Sequence, residues 1–135
     1  MPFVLDCSMT MAWLFTDEGS DRASALRDSL LRDHAVVPSL WPMEVANVLL
    51  AATRRGRIQH SEWKTLIGYI GVLPITIDSE TGERVFTATL PLADHYRLSV
   101  YDAVYLELAL RKRLPLATLD QKLRHACQAA GGETI

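Results

Sequence analysis

The sequence predicts an α/β fold with a mostly parallel central sheet of four to five strands and helices on both of its faces. Apolar runs of three or four residues alternate with longer segments of helical periodicity. Such runs are typical of parallel strands buried on both sides, and the helices between them supply the crossover connections. The 135 residues contain no linker or internal repeat, so we expect one domain over residues 1–135.

Composition and charge exclude several classes of protein. Hydrophobic residues make up 49% of the chain, charged residues 22%, and the net charge is −2, which argues against disorder and against a strongly basic nucleic-acid coat protein. No apolar run reaches the roughly 18 residues of a membrane span, and the first residues lack the basic start of a secretion signal. The two cysteines form no CxxC pair and the four histidines show no metal-ligand spacing. We therefore expect free thiols, no zinc site, no membrane partner and a cytoplasmic location.

The first elements are a strand and two helices. Phe3–Leu5 is a short apolar run that ends at Asp6, and it predicts a buried strand. Ser8 is a candidate N-cap for a helix that continues through Leu14. Residues 17–31 predict a second helix with one apolar side, made of Ala23, Leu26, Leu30 and Leu31.

A second strand and two more helices follow. Ala35–Val37 predicts a strand that Pro38 ends. Pro42 suits the first turn of the next helix, where a missing N–H leaves no carbonyl unsatisfied, and Gly56 suits its C-terminal end. The buried stripe of that helix is Val45, Val48, Leu49 and Ala52. Residues 62–69 predict a further helix.

The remaining elements repeat the alternation of strand and helix. Residues 100–110 are apolar nearly all round, which is typical of a buried helix. The others are a strand at 75–77, a helix over 79–98 broken at Pro91, a strand at 116–119, a helix over 121–130 and a short terminal strand at 133–135.

Four acids stand at comparable places in this pattern. Asp6 and Asp120 each follow a strand, whereas Glu44 and Asp102 lie in the first turns of helices. Each alone can be explained as a helix cap or a dipole partner, as in the capping pattern from Ser99 to Asp102. Capping does not explain why all four fall at the edge where parallel strands end, which is the edge where sites form in such sheets.

Carboxylates gathered at one edge repel each other, and burial raises their pKa values. A divalent cation relieves this repulsion, and oxygen ligands without His or Cys suit Mg²⁺ or Mn²⁺. One or two such ions in a carboxylate cage are typical of phosphoryl-transfer sites.

At these residues the sequence resembles the PIN-domain ribonucleases, specifically the VapC toxins of type II toxin–antitoxin systems. The resemblance covers nearly the whole chain, with the family's segments in family order. The matching segments are 4–8 with Trp13 and Leu14 behind them, 41–49, 98–109, and 114–120 with Leu123 behind them.

The resemblance implies a PIN-like α/β/α sandwich and a metal-dependent endoribonuclease toxin that cleaves tRNA or rRNA and inhibits translation. Its catalytic and metal-binding acids fall on Asp6, Glu44, Asp102 and Asp120. Supporting positions fall on Ser8, Thr118 and Asn47, and helical spacing independently puts Asn47 on the face of Glu44.

An RNA substrate requires basic residues around an acidic site. The candidates are Arg54, Arg55, Arg97 and Lys122, together with the clusters at 54–57 and 111–113 and Arg124. Both clusters end helices, where the helix dipole also favours cations. Trp13 is expected in the core, whereas Trp41 and Tyr101 are open between packing and stacking on unpaired bases.

The resemblance also implies a homodimer and a VapB-like antitoxin that lays a segment over the toxin. Rival interpretations are a DNA nuclease, a phosphatase of the haloacid-dehalogenase type and a non-catalytic binding module. Ser8 argues against the phosphatase, which needs an aspartate there. Cleavage of RNA against DNA tests the first rival, and Mn²⁺ titration tests the last.

Overall fold

A parallel sheet lies at the centre of the computed structural model, which describes all 135 residues. Its strands are β1 (Phe3–Leu5), β2 (Ala35–Val37), β3 (Ile75–Ile77) and β4 (Leu116–Ala117), in the order β3-β2-β1-β4. All neighbouring pairs are parallel. The predicted α/β class is confirmed, and three of the five predicted strands have the predicted bounds.

Helices connect and cover the strands. They are α1 (Cys7–Leu14), α2 (Asp21–Ser29), α3 (Trp41–Arg54), α4 (Trp63–Gly71), α5 (Thr81–Arg84), α6 (Leu90–Tyr96), α7 (Val100–Lys112) and α8 (Gln121–Ala129). Short 3-10 turns occupy Thr16–Glu18 and His60–Glu62. No helix combines the length and the apolar composition of a membrane-spanning segment.

The core is built around β1 and α7. Every residue of β1 is at most 1% exposed, and α7 is buried continuously from Ala103 to Ala109. Burial of a large apolar side chain such as Leu5 or Leu106 contributes about 1.5–3 kcal/mol to the stability of the fold. β3 is an edge strand and is far more exposed. The strand that Asp6 follows and the helix that carries Asp102 therefore both lie in the core.

The start of α1 differs from the prediction. Asp6, not Ser8, is the N-cap, because its Oδ1 accepts a hydrogen bond from the backbone N–H of Met9 at 2.9 Å. Ser8 lies inside the first turn and points its hydroxyl back at the same carboxylate, at 2.7 Å.

The helix predicted over 17–31 is shorter. A 3-10 turn precedes it, and Ser20 caps α2 by accepting from the N–H of Ala23 at 3.1 Å. The helix ends at Ser29, so the predicted apolar stripe loses Leu31, which is 89% exposed.

The predicted break at Pro91 takes the form of a π-helical turn. Residues Val85–Thr89 form this wider turn between α5 and α6, and the N–H of Leu90 donates to the carbonyl of Val85. Pro91 lies in the first turn of α6. Because proline has no N–H and clashes with the preceding turn of an α-helix, the wider turn accommodates it.

The last two predicted strands are shorter than expected. β4 ends at Ala117 because Thr118 and Asp120 already belong to the cap of α8, where the N–H of Asp120 donates to Thr118 Oγ1 at 3.0 Å. The terminal strand at 133–135 is reduced to one parallel bridge between Leu116 and Thr134. Both cysteines are free.

Candidate active site

The four predicted acids lie at the edge where the strands end. β1 and β4 are direct neighbours, with Leu5 opposite Ala117, so Asp6 follows one strand and Thr118 follows the other at the same edge. Asp120 begins α8 just beyond.

Asp6 is held by donors from two segments of the chain. It is 5% exposed, and Ser8 and the Met9 amide both donate to its Oδ1. The hydroxyl of Thr118 donates to Oδ2 across a separation of 112 residues. The backbone N–H of Leu119 in turn donates to Ser8 Oγ at 3.0 Å. Ser8 and Thr118, the two predicted supporting hydroxyls, therefore both contact this carboxylate.

A buried hydrogen-bond chain that the sequence did not predict joins α3 to Asp6. The indole N–H of Trp41 donates to Thr10 Oγ1 at 2.9 Å, and the Thr10 hydroxyl donates to the backbone carbonyl of Asp6 at 2.9 Å. Trp41 is 6% exposed, which excludes it from base stacking. Trp13 is also buried, as predicted, and donates to the carbonyl of Ala23.

Glu44 lies in the first turn of α3, half-buried, and has one protein donor. The hydroxyl of Tyr105 on α7 donates to Glu44 Oε1 at 2.5 Å. Asn47 lies one turn further along α3 and is exposed, with no hydrogen bond to Glu44. The contact between Tyr105 and Glu44 could not be predicted from the sequence, because the apolar neighbours of Tyr105 indicate only that it lies in the core.

Asp102 and Asp120 lie at the starts of helices, as predicted. Ser99 caps α7 by accepting from the N–H of Asp102 at 3.1 Å. Asp120 caps α8, with Oδ1 accepting from the amides of Lys122 and Leu123 at 2.9 and 3.1 Å. The carboxylate of Asp120 is therefore a helix cap, whereas Asp102 contributes only its backbone N–H to the cap of α7.

The charges of the four acids act on one another. Burial raises the pKa of Asp6 above its ordinary value against the opposing hydrogen bonds, and the charge of Asp120 raises it further. Burial raises the pKa of Glu44, with added repulsion from Asp102 and Asp6. Burial and the charge of Asp120 raise the pKa of Asp102, although Lys122 opposes this. The fold thus brings all four acids into one electrostatic cluster.

Cys7 lies beside this cluster and stays a thiol. Burial raises its pKa to about 12, with further contributions from Glu44 and Asp6. A thiol that remains protonated is not a nucleophile at neutral pH.

The donor chemistry of the cluster fits a hard divalent cation, since all four members supply carboxylate oxygens. In the structure, however, no three His, Cys, Asp or Glu side chains are arranged to hold one metal ion. Asp6 already accepts protein hydrogen bonds on both oxygens, whereas Glu44 and Asp120 each have one oxygen without a protein donor. Three of the acids could therefore share an ion only if the carboxylates that fewer protein donors hold turned toward the others.

The predicted basic residues divide into near and distant groups. Lys122, in the first turn of α8, acts on Asp102, and Arg97 is exposed in the left-handed turn that precedes α7. Arg54 and Arg55 lie at the far end of α3, about 15 Å along the helix from Glu44.

Arg111 is not available to a substrate. Its side chain is 13% exposed and pairs with Asp78 and Glu107 at 2.8 Å each. Tyr101, in contrast, is 64% exposed next to Asp102.

An apolar groove of about 580 Å³ lies between α3 and α4, and none of the four acids lines it. Trp63 and Val45 contribute to its walls, and Ile67 is 55% exposed at its surface.

Comparison with models of known protein families matches this chain to one family. The PIN domain family matches residues 3–129. No curated protein sequence matches the chain significantly.

Solved structures share the fold at low sequence identity. The crystal structure of PAE2754 from Pyrobaculum aerophilum matches with a TM-score of 0.70 at 21% identity, covering 99% of this chain and 83% of that one. VapBC2 from Rickettsia felis, bound to a DNA fragment from their promoter, matches with a TM-score of 0.70 at 11% identity, covering 100% and 98%. A toxin–antitoxin complex from Klebsiella pneumoniae matches with a TM-score of 0.56 at 21% identity, covering 89% and 88%. The family match spans most of the sequence, and the chain belongs to the PIN domain family.

Proposed function

We propose that this chain is a VapC-type toxin, a Mg²⁺- or Mn²⁺-dependent endoribonuclease that acts on tRNA or rRNA. The observation that carries the proposal is the cluster of four mutually repelling acids at the strand ends of a PIN-domain sheet. Structural neighbours that are toxin–antitoxin proteins support the toxin assignment.

Asp6, Glu44, Asp102 and Asp120 are the proposed ligands of one or two divalent ions. These four carboxylates would hold the ion, whose positive charge would offset their repulsion and make a nearby water more acidic. Asp6 is the fixed member of the set, since Ser8, Met9 and Thr118 hold it.

The substrate is proposed to approach over the exposed rim of the cluster. Lys122 and Arg97 would bind the phosphates that flank the cleaved bond, and Tyr101 offers an exposed ring on which an unpaired base can stack. Arg54 and Arg55 would contact only RNA that extends beyond the site, along α3. Asn47 remains a supporting residue on the same helix as Glu44.

The proposed partner is a VapB-like antitoxin, since neighbours of the same fold are toxin–antitoxin complexes. The apolar groove between α3 and α4 is the surface that we assign to an antitoxin segment, because an exposed Ile67 there leaves apolar area uncovered. We also propose that the protein forms a homodimer. We propose a cytoplasmic location as well, because the reducing cytoplasm keeps thiols such as the two free cysteines unpaired. An Ile67→Lys variant should lose co-purification with the antitoxin; loss of self-association instead would assign the groove to the dimer.

A cleavage assay on purified protein tests the activity. The wild-type protein should cut structured RNA with Mg²⁺ or Mn²⁺, should stop with EDTA, and should leave DNA of matched sequence intact. Asp6→Asn should lower the rate at least a hundredfold, whereas Asp94→Asn, an exposed acid on α6, controls for the loss of one charge. An Asp6→Asn protein that cleaves at the wild-type rate would overturn the proposal, and preference for DNA would overturn the RNA assignment.

A further inference from the structure

Tyr105 is a core residue whose hydroxyl reaches the acidic cluster. Its side chain is among the largest fully buried ones, at 2% exposed. The hydroxyl donates to Glu44 Oε1 at 2.5 Å, which joins α7 to α3 across 61 residues of sequence. Glu44 has no other protein donor, and the Tyr105 hydroxyl has no other protein partner.

The hydroxyl has a hydrogen-bonding role, because it donates to Glu44 from inside the core. A phenylalanine would fill the same core volume without needing a hydrogen-bond partner, so packing alone does not require this hydroxyl.

The first turn of α3 is fixed at a second point. Trp41 lies three residues before Glu44 and is tied through Thr10 to the backbone carbonyl of Asp6. The backbone of this turn is thus fixed relative to Asp6, and the Tyr105 bond fixes the carboxylate that the turn carries. One oxygen of Glu44 is held, and Oε2 is left without a protein donor.

We propose that Tyr105 is a positioning residue that holds the Glu44 carboxylate ready to bind a divalent cation through its free oxygen. The inference rests on the proposed function, because it assumes that Glu44 is a ligand. Groups that orient a metal ligand typically change metal affinity by about 10–100-fold when they are removed.

Calorimetric titration with Mn²⁺ tests this inference without relying on activity. Tyr105→Phe should bind Mn²⁺ about 10–100-fold more weakly than the wild-type protein. In a Glu44→Gln background the same substitution should change the affinity less than about twofold, because the ligand through which Tyr105 acts is gone. Cleavage should show a lower kcat with an unchanged KM for RNA.

Thr53→Val is the matched control. Thr53 accepts a hydrogen bond from the indole of Trp63 at 2.8 Å, away from the acids, so its loss should leave Mn²⁺ affinity at the wild-type value. Equal weakening by Tyr105→Phe in both backgrounds, no weakening, or a Tyr105→Phe protein that does not fold would each overturn the inference and make the hydroxyl a structural group. A wild-type protein that neither binds Mn²⁺ nor cuts RNA would instead remove the proposed function itself.

Discussion

At the scale of single residues, helix capping by an acid does not exclude the function that we propose for the same acid. Asp6 and Asp120 each cap a helix with one oxygen, and the charge of Asp120 still raises the pKa of Asp6. The places of all four acids could be predicted from the sequence, because each acid lies at the end of a strand or the start of a helix. The sequence did not predict Tyr105, whose partner lies 61 residues away.

Thr118→Val should shift the titration of Asp6. Burial raises the pKa of Asp6, and the hydrogen bond from Thr118 lowers it, so removing the donor should move the pKa further upward. A hydrogen bond to a charged group is worth about 1.5–3 kcal/mol. NMR titration of the metal-free protein measures the change. Thr89→Val removes an equally buried hydroxyl elsewhere and should leave Asp6 unchanged; an unchanged pKa in Thr118→Val would count against the contact.

At the scale of elements, local rules succeed where one residue type marks a boundary. β1, β2 and β3 are short apolar runs ended by Asp or Pro, and they occur where predicted. The rules fail where two residues compete, as at Asp6 and Ser8. Both are good caps, and the outcome depends in part on Thr118, which no local pattern indicates.

The contact between α7 and the end of β3 depends on an ion-pair network that should be sensitive to acid. Burial by itself raises the pKa of Asp78, but hydrogen bonds from Arg111 and Thr81 outweigh it, and the pKa lies below its ordinary value. A lowered pKa stabilises the fold above about pH 4, and this contribution is lost as pH falls further. Asp78→Asn should therefore cost about 1–3 kcal/mol at pH 7 and less at pH 3.

Urea unfolding at both pH values measures this difference. Asp28→Asn is the control, because Asp28 forms an exposed ion pair with Arg27 and should cost less than about 0.5 kcal/mol. An equal cost for Asp78→Asn at both pH values would show that the charge of Asp78 is not what stabilises the contact.

At the scale of the whole molecule, topology alone brings the acids to one edge. Parallel strands and their crossover helices fix where Asp6, Glu44, Asp102 and Asp120 fall, and this much follows from the alternation of strand and helix. The orientation of each carboxylate depends on packing by residues distant in sequence. No sequence pattern therefore indicates how each carboxylate is turned, or that no three of them are arranged to hold one ion.

Without a bound ion, repulsion among the four acids should destabilise the fold, so removing one of their charges should make the protein more stable. Burial and the charge of Asp120 raise the pKa of Asp102, so its ionised form destabilises the fold as pH rises above the ordinary pKa of an aspartate. Asp102→Asn should therefore be more stable at pH 7. Allowing for solvent screening, we expect about 0.5–1 kcal/mol, or about 2–4 °C in Tm. Near pH 3 the difference should vanish, because both side chains are then neutral.

Mn²⁺ should reverse this order. A ligand at a hundred times its Kd stabilises the folded state by about 2.7 kcal/mol, and the wild-type protein retains all four proposed ligands. The wild-type Tm should rise above that of Asp102→Asn in Mn²⁺, while the control Asp94→Asn should follow the wild type. This reversal of the Tm order requires Asp102 to be both a repelling charge without the ion and a ligand with it. A residue that only capped a helix would not reverse the order. Equal Mn²⁺ shifts in wild type and Asp102→Asn would mean that the ion binds elsewhere and that the cluster is not the metal site.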